Sequence, residues 1–132
     1  MKNPYAELVG FEYRVTGKGK CIATLEVGPH LHNPIGMLHG GALYAMADTS
    51  MAHALASTID RGQTCATIEI KMVYLKPVIE GRVRCVSKIV HRGARIGVLE
   101  SSLSCSRTLV AKALGTFVIF AARPGQAGGS AD

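Results

Sequence analysis

The sequence predicts an α+β domain in which one antiparallel sheet of about six strands wraps around a single long helix. One stretch, residues 41–59, is apolar on all sides and has a helical composition, which is typical of a buried helix. The runs before and after it alternate polar and apolar residues or are rich in β-branched residues. The length of 132 residues suits one domain with one core. We assign residues 1–123 to this domain and residues 124–132 to a flexible C-terminal tail.

The individual elements follow from local patterns. Residues 4–9 predict one short helical turn with a proline near its start. Gly62 follows the long helix and is expected to cap its C-terminal end. Two strands joined by a glycine-containing turn precede the helix and four follow it, at residues 11–16, 21–27, 64–75, 81–91, 95–106 and 109–121.

The composition limits the class of partner and the compartment. Fifteen Lys and Arg against nine Asp and Glu give a net charge of +6, which suits an anionic partner but is also explained by solubility alone. We expect no nucleic acid partner. Asp48, His53 and several hydroxyl residues in the helix argue against a membrane span. The first residues contain no apolar signal segment, and the four cysteines show no CxxC spacing, so we expect a cytoplasmic protein with reduced thiols.

The stretch from His39 to Asp48 contains the residues with the clearest chemical meaning. Gly40 and Gly41 stand at the predicted helix start, where the first N–H groups have no partner within the helix. Because glycine has no side chain, a ligand can approach these N–H groups closely, which suits a developing oxyanion. Asp48 is the only formal charge in the predicted helix up to residue 59, and it indicates a nucleophile or a general base.

The spacing of these groups predicts a site between subunits. Asp48 follows Gly40 by eight residues, which corresponds to about 12 Å along a helix that rises ~1.5 Å per residue. A reacting carbonyl has to lie ~3 Å from both groups, so one helix cannot supply both of them. We therefore predict that two helices pack antiparallel across a two-fold axis and form two equivalent sites per dimer.

Residues 32–41, followed by Asp48 and Thr49, are similar to the signature of the PaaI-like hotdog acyl-CoA thioesterases of phenylacetate degradation. The resemblance extends from about residue 5 to residue 121. The combination of the HGG motif, the aspartate at its spacing and the upstream Asn33 is specific, whereas HGG alone is not. The resemblance implies the hotdog fold, hydrolysis of an aryl or fatty acyl-CoA, no metal or other cofactor, and a homodimer or homotetramer.

The resemblance also implies roles for single residues. Asp48 matches the catalytic carboxylate of the family, which attacks the thioester or activates water. Gly40 matches the residue whose N–H polarises the thioester carbonyl, and Asn33 matches an amide that orients substrate or water. His39 matches a histidine that steadies the loop, and Thr67 matches a hydroxyl near the lytic water.

Contacts with the CoA part of the substrate are assigned to two places. Gly41 is expected to leave room for the ligand at the helix start. Arg92, Gly93 and Arg95 form a strand turn with two guanidinium groups, which suits the phosphates of CoA. A solvated charged turn explains the same residues equally well.

Several alternatives stay open at this point. Asp48 is also compatible with a structural acid bonded to neighbouring hydroxyl groups, and a metal site is compatible with His30, His32, His39 and Asp48, because His-x-His is a ligand spacing. A hotdog acyl-CoA dehydratase or hydratase is a second function, although its relatives use a different loop pattern. A non-catalytic acyl-CoA-binding module is the third.

Overall fold

The computed structural model describes residues 2–125, so residues 126–132 of the predicted tail lie outside the described range. Two helices and six strands are present in this part of the chain, together with one 3₁₀ turn at Pro29–Leu31. Their bounds are α1 Pro4–Val9, β1 Phe11–Gly17, β2 Lys20–Val27, α2 Gly40–Ala56, β3 Gln63–Tyr74, β4 Gly81–Arg92, β5 Ile96–Cys105 and β6 Thr108–Ala121. The predicted fold class is confirmed.

The six strands form one fully antiparallel sheet in the order β1-β2-β4-β5-β6-β3. The sheet curves around α2, which contacts all six strands. Tight turns join β1 to β2 and β5 to β6, and Ser106 and Arg107 adopt the positive φ angles that a two-residue hairpin requires. The strand that follows the helix, β3, pairs only with β6 and forms one edge of the sheet.

The core lies between α2 and the inner face of the sheet. Nine of the seventeen residues of α2 are buried, and Met46, Met51 and Leu55 are completely inaccessible to solvent. Polar groups inside this core are paired: the Ser50 hydroxyl donates to the Cys21 carbonyl at 3.3 Å. No disulfide joins the four cysteines, which all lie within residues 2–125, and burial raises the pKa of the Cys85 thiol to about 11.

The helix α2 is shorter at its C-terminal end than predicted. It ends at Ala56 rather than at residue 59, because the Ser57 and Thr58 hydroxyls bond the carbonyls of Ala54 and Leu55 at 2.7 and 2.8 Å. Gly62 is therefore not its cap. Gly62 adopts a φ of +89° in the turn that leads into β3. None of the helices in residues 2–125 combines the length and apolar character that a membrane crossing requires.

Candidate active site

The start of α2 is capped by a histidine. The Nδ1 atom of His39 accepts a hydrogen bond from the Gly41 N–H at 2.8 Å, as a short polar side chain does at other helix starts. A Cβ atom at Gly41 would lie 2.8 Å from that same Nδ1, so the cap requires glycine there. Within residues 2–125 the Gly40 N–H forms no hydrogen bond, and it remains a donor for a ligand.

The last residue of β3, Tyr74, lies against Gly40. Its hydroxyl donates to the Gly40 carbonyl at 2.9 Å. A Cβ atom at Gly40 would lie 3.0 Å from two ring carbons of Tyr74. Partial burial, with a smaller contribution from Tyr44, raises the pKa of the Tyr74 phenol. The ring of Tyr74 would thus have to shift to accommodate a larger residue at position 40.

Asn33 is held in the loop before α2 by its side-chain oxygen. The Oδ1 atom accepts hydrogen bonds from the N–H groups of Ile35 and Met37, both at 3.1 Å. The backbone N–H of Asn33 donates to the Met37 carbonyl at 2.6 Å. This turn uses the oxygen of the side-chain amide and leaves its NH₂ group as the donor that can serve a ligand.

Asn33, Gly40 and Tyr74 border the same depression, which we call the amide cleft. It has a volume of about 320 Å³ and is completed by Met37, Leu38, Leu43, Leu75, Lys76, Pro77 and Val78. Its walls are mostly apolar, and Asn33 and Gly40 are among the polar residues that line it. A mostly apolar cleft with a few polar groups is typical of a binding site.

Asp48 lies in the middle of α2 and is half-buried. The Thr67 hydroxyl donates to its Oδ1 atom at 2.6 Å. Thr67 points toward α2 because β3 turns its inward face there, and a bulge between Thr67 and Glu69 shifts the register directly afterwards. Thr67, expected as a hydroxyl near the lytic water, is thus in direct contact with the Asp48 carboxylate.

Asp48 borders a second depression, which we call the carboxylate cleft. It has a volume of about 440 Å³ and is lined by Asn3, Tyr5, Gly41, Tyr44, Ala45, Asp48 and Thr49. Gly40 is not among these residues, and Asp48 is not among those of the amide cleft. Within one chain, the candidate carboxylate and the candidate oxyanion donor thus lie in separate clefts.

The two arginines of the predicted phosphate-binding turn differ in their contacts. The Arg92 guanidinium donates to the Thr58 hydroxyl at 3.1 Å and also to the carbonyls of Thr58 and Gly93. Gly93 forms the turn itself, through an N–H bond to the Ile96 carbonyl at 2.8 Å. Arg95 is exposed. Arg92 thus ties the end of β4 to the segment after α2, whereas Arg95 extends into solvent.

Arg92 also borders a third depression, the basic cleft, of about 590 Å³. Three lysines line it: Lys18 and Lys20 at the β1–β2 turn, and Lys88 on β4. Gly19, Thr58 and Ile89 complete the lining. One carboxylate, Glu100, lies 3.4 Å from the Lys88 ammonium. Sequence reasoning did not connect these lysines with Arg92, since only the folded sheet brings the two turns together.

Two of the three histidines considered as metal ligands have other partners. His32 Nε2 lies 2.8 Å from the Ile79 carbonyl, and His39 Nδ1 accepts from Gly41. No three His, Cys, Asp or Glu side chains of residues 2–125 are grouped as metal ligands would be.

Sequence reasoning also missed Tyr74 as part of the site. It lies within the resemblance that extends from about residue 5 to residue 121, but no role is assigned to it there. The signal that could have singled it out is an aromatic residue at the end of the strand after the helix. Its contact with Gly40 spans 34 residues and depends on how β3 lies beside α2.

Comparison with known proteins agrees with the fold. The solved structure of the conserved protein PA5202 from Pseudomonas aeruginosa is 38% identical, has a TM-score of 0.83, and covers 91% of this chain and 96% of its own. The Escherichia coli PaaI protein of the phenylacetic acid degradation operon has a TM-score of 0.83 at 22% identity, over 90% of this chain and 86% of its own. The latter likeness shows the shared fold.

Two curated relatives carry the names of thioester-cleaving enzymes. The proofreading thioesterase EntH of Cronobacter turicensis is 37% identical over 66% of this chain and 64% of its own length. The 1,4-dihydroxy-2-naphthoyl-CoA hydrolase of Listeria monocytogenes is 29% identical over 74% of this chain and 80% of its own.

The sequence model of the thioesterase superfamily matches residues 35–111, which include Gly40, Asp48, Thr67 and Tyr74. The chain belongs to the thioesterase superfamily. Its class of activity is thioester hydrolysis, and the resemblance to PaaI-like hotdog thioesterases is confirmed.

Proposed function

We propose that the protein hydrolyses an acyl-CoA to the free acid and CoA with its own side chains and without a cofactor. The observation that carries this proposal is the half-buried Asp48 carboxylate, which the Thr67 hydroxyl holds at 2.6 Å beside an open cleft. A carboxylate in an otherwise uncharged helix of a thioesterase is best explained by chemistry on the thioester carbonyl. The name of the Listeria relative, a CoA hydrolase, supports CoA as the thiol part.

The roles of the donors follow from their positions. The Gly40 N–H binds the thioester oxygen as negative charge develops on it, and the Asn33 amide orients the same carbonyl or the water. Asp48 either removes a proton from water, which attacks the carbonyl carbon, or attacks that carbon itself. In both routes the C–S bond breaks and the CoA thiolate leaves. When Asp48 itself attacks, water then hydrolyses the resulting acyl–Asp48 anhydride, which releases the free acid and restores the carboxylate. His39 keeps the helix start in place through its bond to Gly41.

The site is formed across a dimer in this proposal. Gly40 and Asp48 of one chain border different clefts, in accord with the distance of about 12 Å that eight residues of helix impose. The free edge of β3 offers a surface for a second copy, because this twelve-residue strand pairs on one side only. Its exposed apolar residues Ile68 and Val73 add area that a partner would cover.

A dimer of dimers is the larger assembly that we propose. The face of β5 and β6 that points away from α2 has the exposed apolar residues Ile96, Leu114 and Phe120, which are suited to a further contact between copies. No disulfide joins the cysteines of residues 2–125, which fits the reducing cytoplasm as the place of action.

Binding of the CoA phosphates is assigned to the arginine turn and the basic cleft next to it. Arg95 is the exposed guanidinium of the turn, and Arg92 joins the turn to Lys18 and Lys20. Because Gly93 has no side chain, a phosphate can approach the backbone of this turn closely. Gly41 lines the carboxylate cleft, where the arm of CoA reaches the thioester.

The direct test is the Asp48→Asn variant, which keeps the shape of the side chain and removes its charge. We expect kcat for thiol release from a panel of acyl-CoA substrates to fall by at least ~100-fold. The melting temperature should stay within about 3 °C of the wild type, because an ionised acid in this helix adds little to stability.

The matched control is Asp60→Asn, an exposed aspartate of the turn after α2. It should keep wild-type turnover. Turnover of Asp48→Asn equal to that of wild type would remove Asp48 from the mechanism. Water addition to an enoyl-CoA, or tight acyl-CoA binding without thiol release by the wild type, would overturn the proposed hydrolysis itself.

A further inference from the structure

The contact between Tyr74 and Gly40 borders the amide cleft. Tyr74 ends β3 and touches the first residue of α2 in two ways. Its hydroxyl donates to the Gly40 carbonyl at 2.9 Å, and its ring carbons lie 3.0 Å from the place of a Cβ atom on Gly40. A single side chain from the sheet thus fixes the start of the helix both by a hydrogen bond and by contact.

The bonded carbonyl is part of a continuous set of hydrogen bonds. The Gly40 carbonyl and the Gly41 N–H belong to the same peptide group. The Tyr74 hydroxyl donates to the oxygen of this peptide group, and the N–H of the same group donates to His39 Nδ1 at 2.8 Å. Bonds at both ends fix the plane of the peptide, and bonds in series strengthen one another. The next N–H toward the N-terminus is that of Gly40, which is the proposed oxyanion donor.

We propose that Tyr74 is a positioning residue of the oxyanion site and that its ring crowds any side chain larger than hydrogen at position 40. This inference rests on the proposed function, since it gives Tyr74 the role of orienting the Gly40 N–H group. Catalytic donors act only if they are held in the geometry of the transition state before the substrate arrives. Tyr74 supplies that rigidity from the sheet, whereas the N-terminal turn of a helix otherwise frays.

The ionisation state of the phenol agrees with this role. Partial burial and the neighbouring Tyr44 raise the pKa of Tyr74 above its ordinary value near 10. The O–H group is therefore protonated throughout the neutral range and acts as a donor toward the Gly40 carbonyl.

The first test separates positioning from substrate contact by steady-state kinetics of Tyr74→Phe. This variant keeps the ring and removes the hydroxyl. Loss of one hydrogen bond that aims the donor should lower kcat about three- to tenfold, with KM changed less than twofold. Tyr13→Phe on β1 is the matched control, and it should leave both constants unchanged. An unchanged kcat in Tyr74→Phe, or a rise in KM alone, would overturn the positioning role.

The second test needs no enzymatic activity and therefore stands even if the proposed function is wrong. Gly40→Ala should lower the melting temperature, because its Cβ meets the ring of Tyr74 at 3.0 Å. Tyr74→Leu removes the ring. The double variant Gly40→Ala/Tyr74→Leu should then lose less than the sum of the two single losses.

Amide hydrogen exchange at Gly41 completes the second test. Exchange should be faster in Tyr74→Phe than in the wild type, since the peptide group has lost the bond at its oxygen. A double variant that folds where Gly40→Ala alone does not would support the contact. Additive losses of melting temperature, a double variant that stays unfolded, or unchanged exchange at Gly41 would overturn it.

Discussion

Packing within the chain, and not only access for a ligand, explains the two glycines that begin α2. The sequence predicts open N–H groups there because glycine has no side chain. In the folded chain, a Cβ at Gly41 would meet His39, and a Cβ at Gly40 would meet Tyr74. Both glycines are closely packed by intramolecular contacts, and of their two N–H groups only that of Gly40 is left for a ligand within residues 2–125. The contact with Tyr74 could not be predicted because it joins two elements 34 residues apart.

The candidate residues were predictable to different degrees. Asp48 stood out because a lone charge in an apolar helix is costly. Thr67 has no such signal of its own, since threonine is common in strands, and it was found through the family pattern. The structure brings these two together at 2.6 Å. Arg92 and Arg95 looked alike in the sequence, but only Arg92 is bonded to the segment after α2.

A residue-scale prediction concerns the Thr67 hydroxyl. Thr67→Val keeps the size of the side chain and removes the donor to Asp48, so the carboxylate loses a partner that holds its direction. We expect kcat to fall about tenfold, while Thr67→Ser keeps most of the activity because it retains the hydroxyl. Steady-state thiol release measures both variants. Equal turnover in Thr67→Val and Thr67→Ser would show that the hydrogen bond has no part in the reaction.

The helix α2 illustrates what local sequence signals can and cannot determine at the element scale. Its apolar composition predicted a buried helix, and nine of its residues are buried. The sequence predicts its end three residues too late, because Gly62 resembles a C-terminal cap. In the structure the Ser57 and Thr58 hydroxyls bond the last helical carbonyls and end the helix earlier. Its start depends on His39, an unusual cap whose ring nitrogen takes the place of the common oxygen acceptors.

An element-scale prediction therefore concerns His39. In His39→Ala the Gly41 N–H loses its acceptor, and we expect the free energy of unfolding to fall by about 1 kcal/mol. His39→Asn supplies an oxygen acceptor at the same position and should recover most of this loss. Urea denaturation followed by circular dichroism gives the comparison, with the exposed His91→Ala as the control. A loss no larger in His39→Ala than in His91→Ala would contradict the capping role.

The fold as a whole was predictable in content but not in arrangement. Alternation and turn residues gave six strands and the hairpins β1–β2 and β5–β6. The order of the strands was not predicted, and the pairing of β3 with the last strand β6 places β3 at the edge of the sheet. Such long-range pairing depends on how the sheet closes around α2 and leaves no local signal. The edge position of β3 is what makes a shared site between two copies sterically reasonable.

Complementation between two inactive variants tests at the scale of the whole molecule whether two chains share each site. Asp48→Asn removes the carboxylate. Asn33→Asp keeps the Oδ atom that accepts from Ile35 and Met37 but removes the amide donor and adds negative charge beside the oxyanion. Each variant alone should be nearly inactive.

The two variants are unfolded together, refolded in equal amounts and assayed for thiol release. Random pairing makes half of the dimers mixed, and in each mixed dimer one of the two sites has both functional groups intact. We predict recovery of about a quarter of the wild-type activity, compared with almost none for each variant refolded alone. No activity in the mixture, although native electrophoresis or mass spectrometry shows that mixed dimers form, would contradict a site shared between chains.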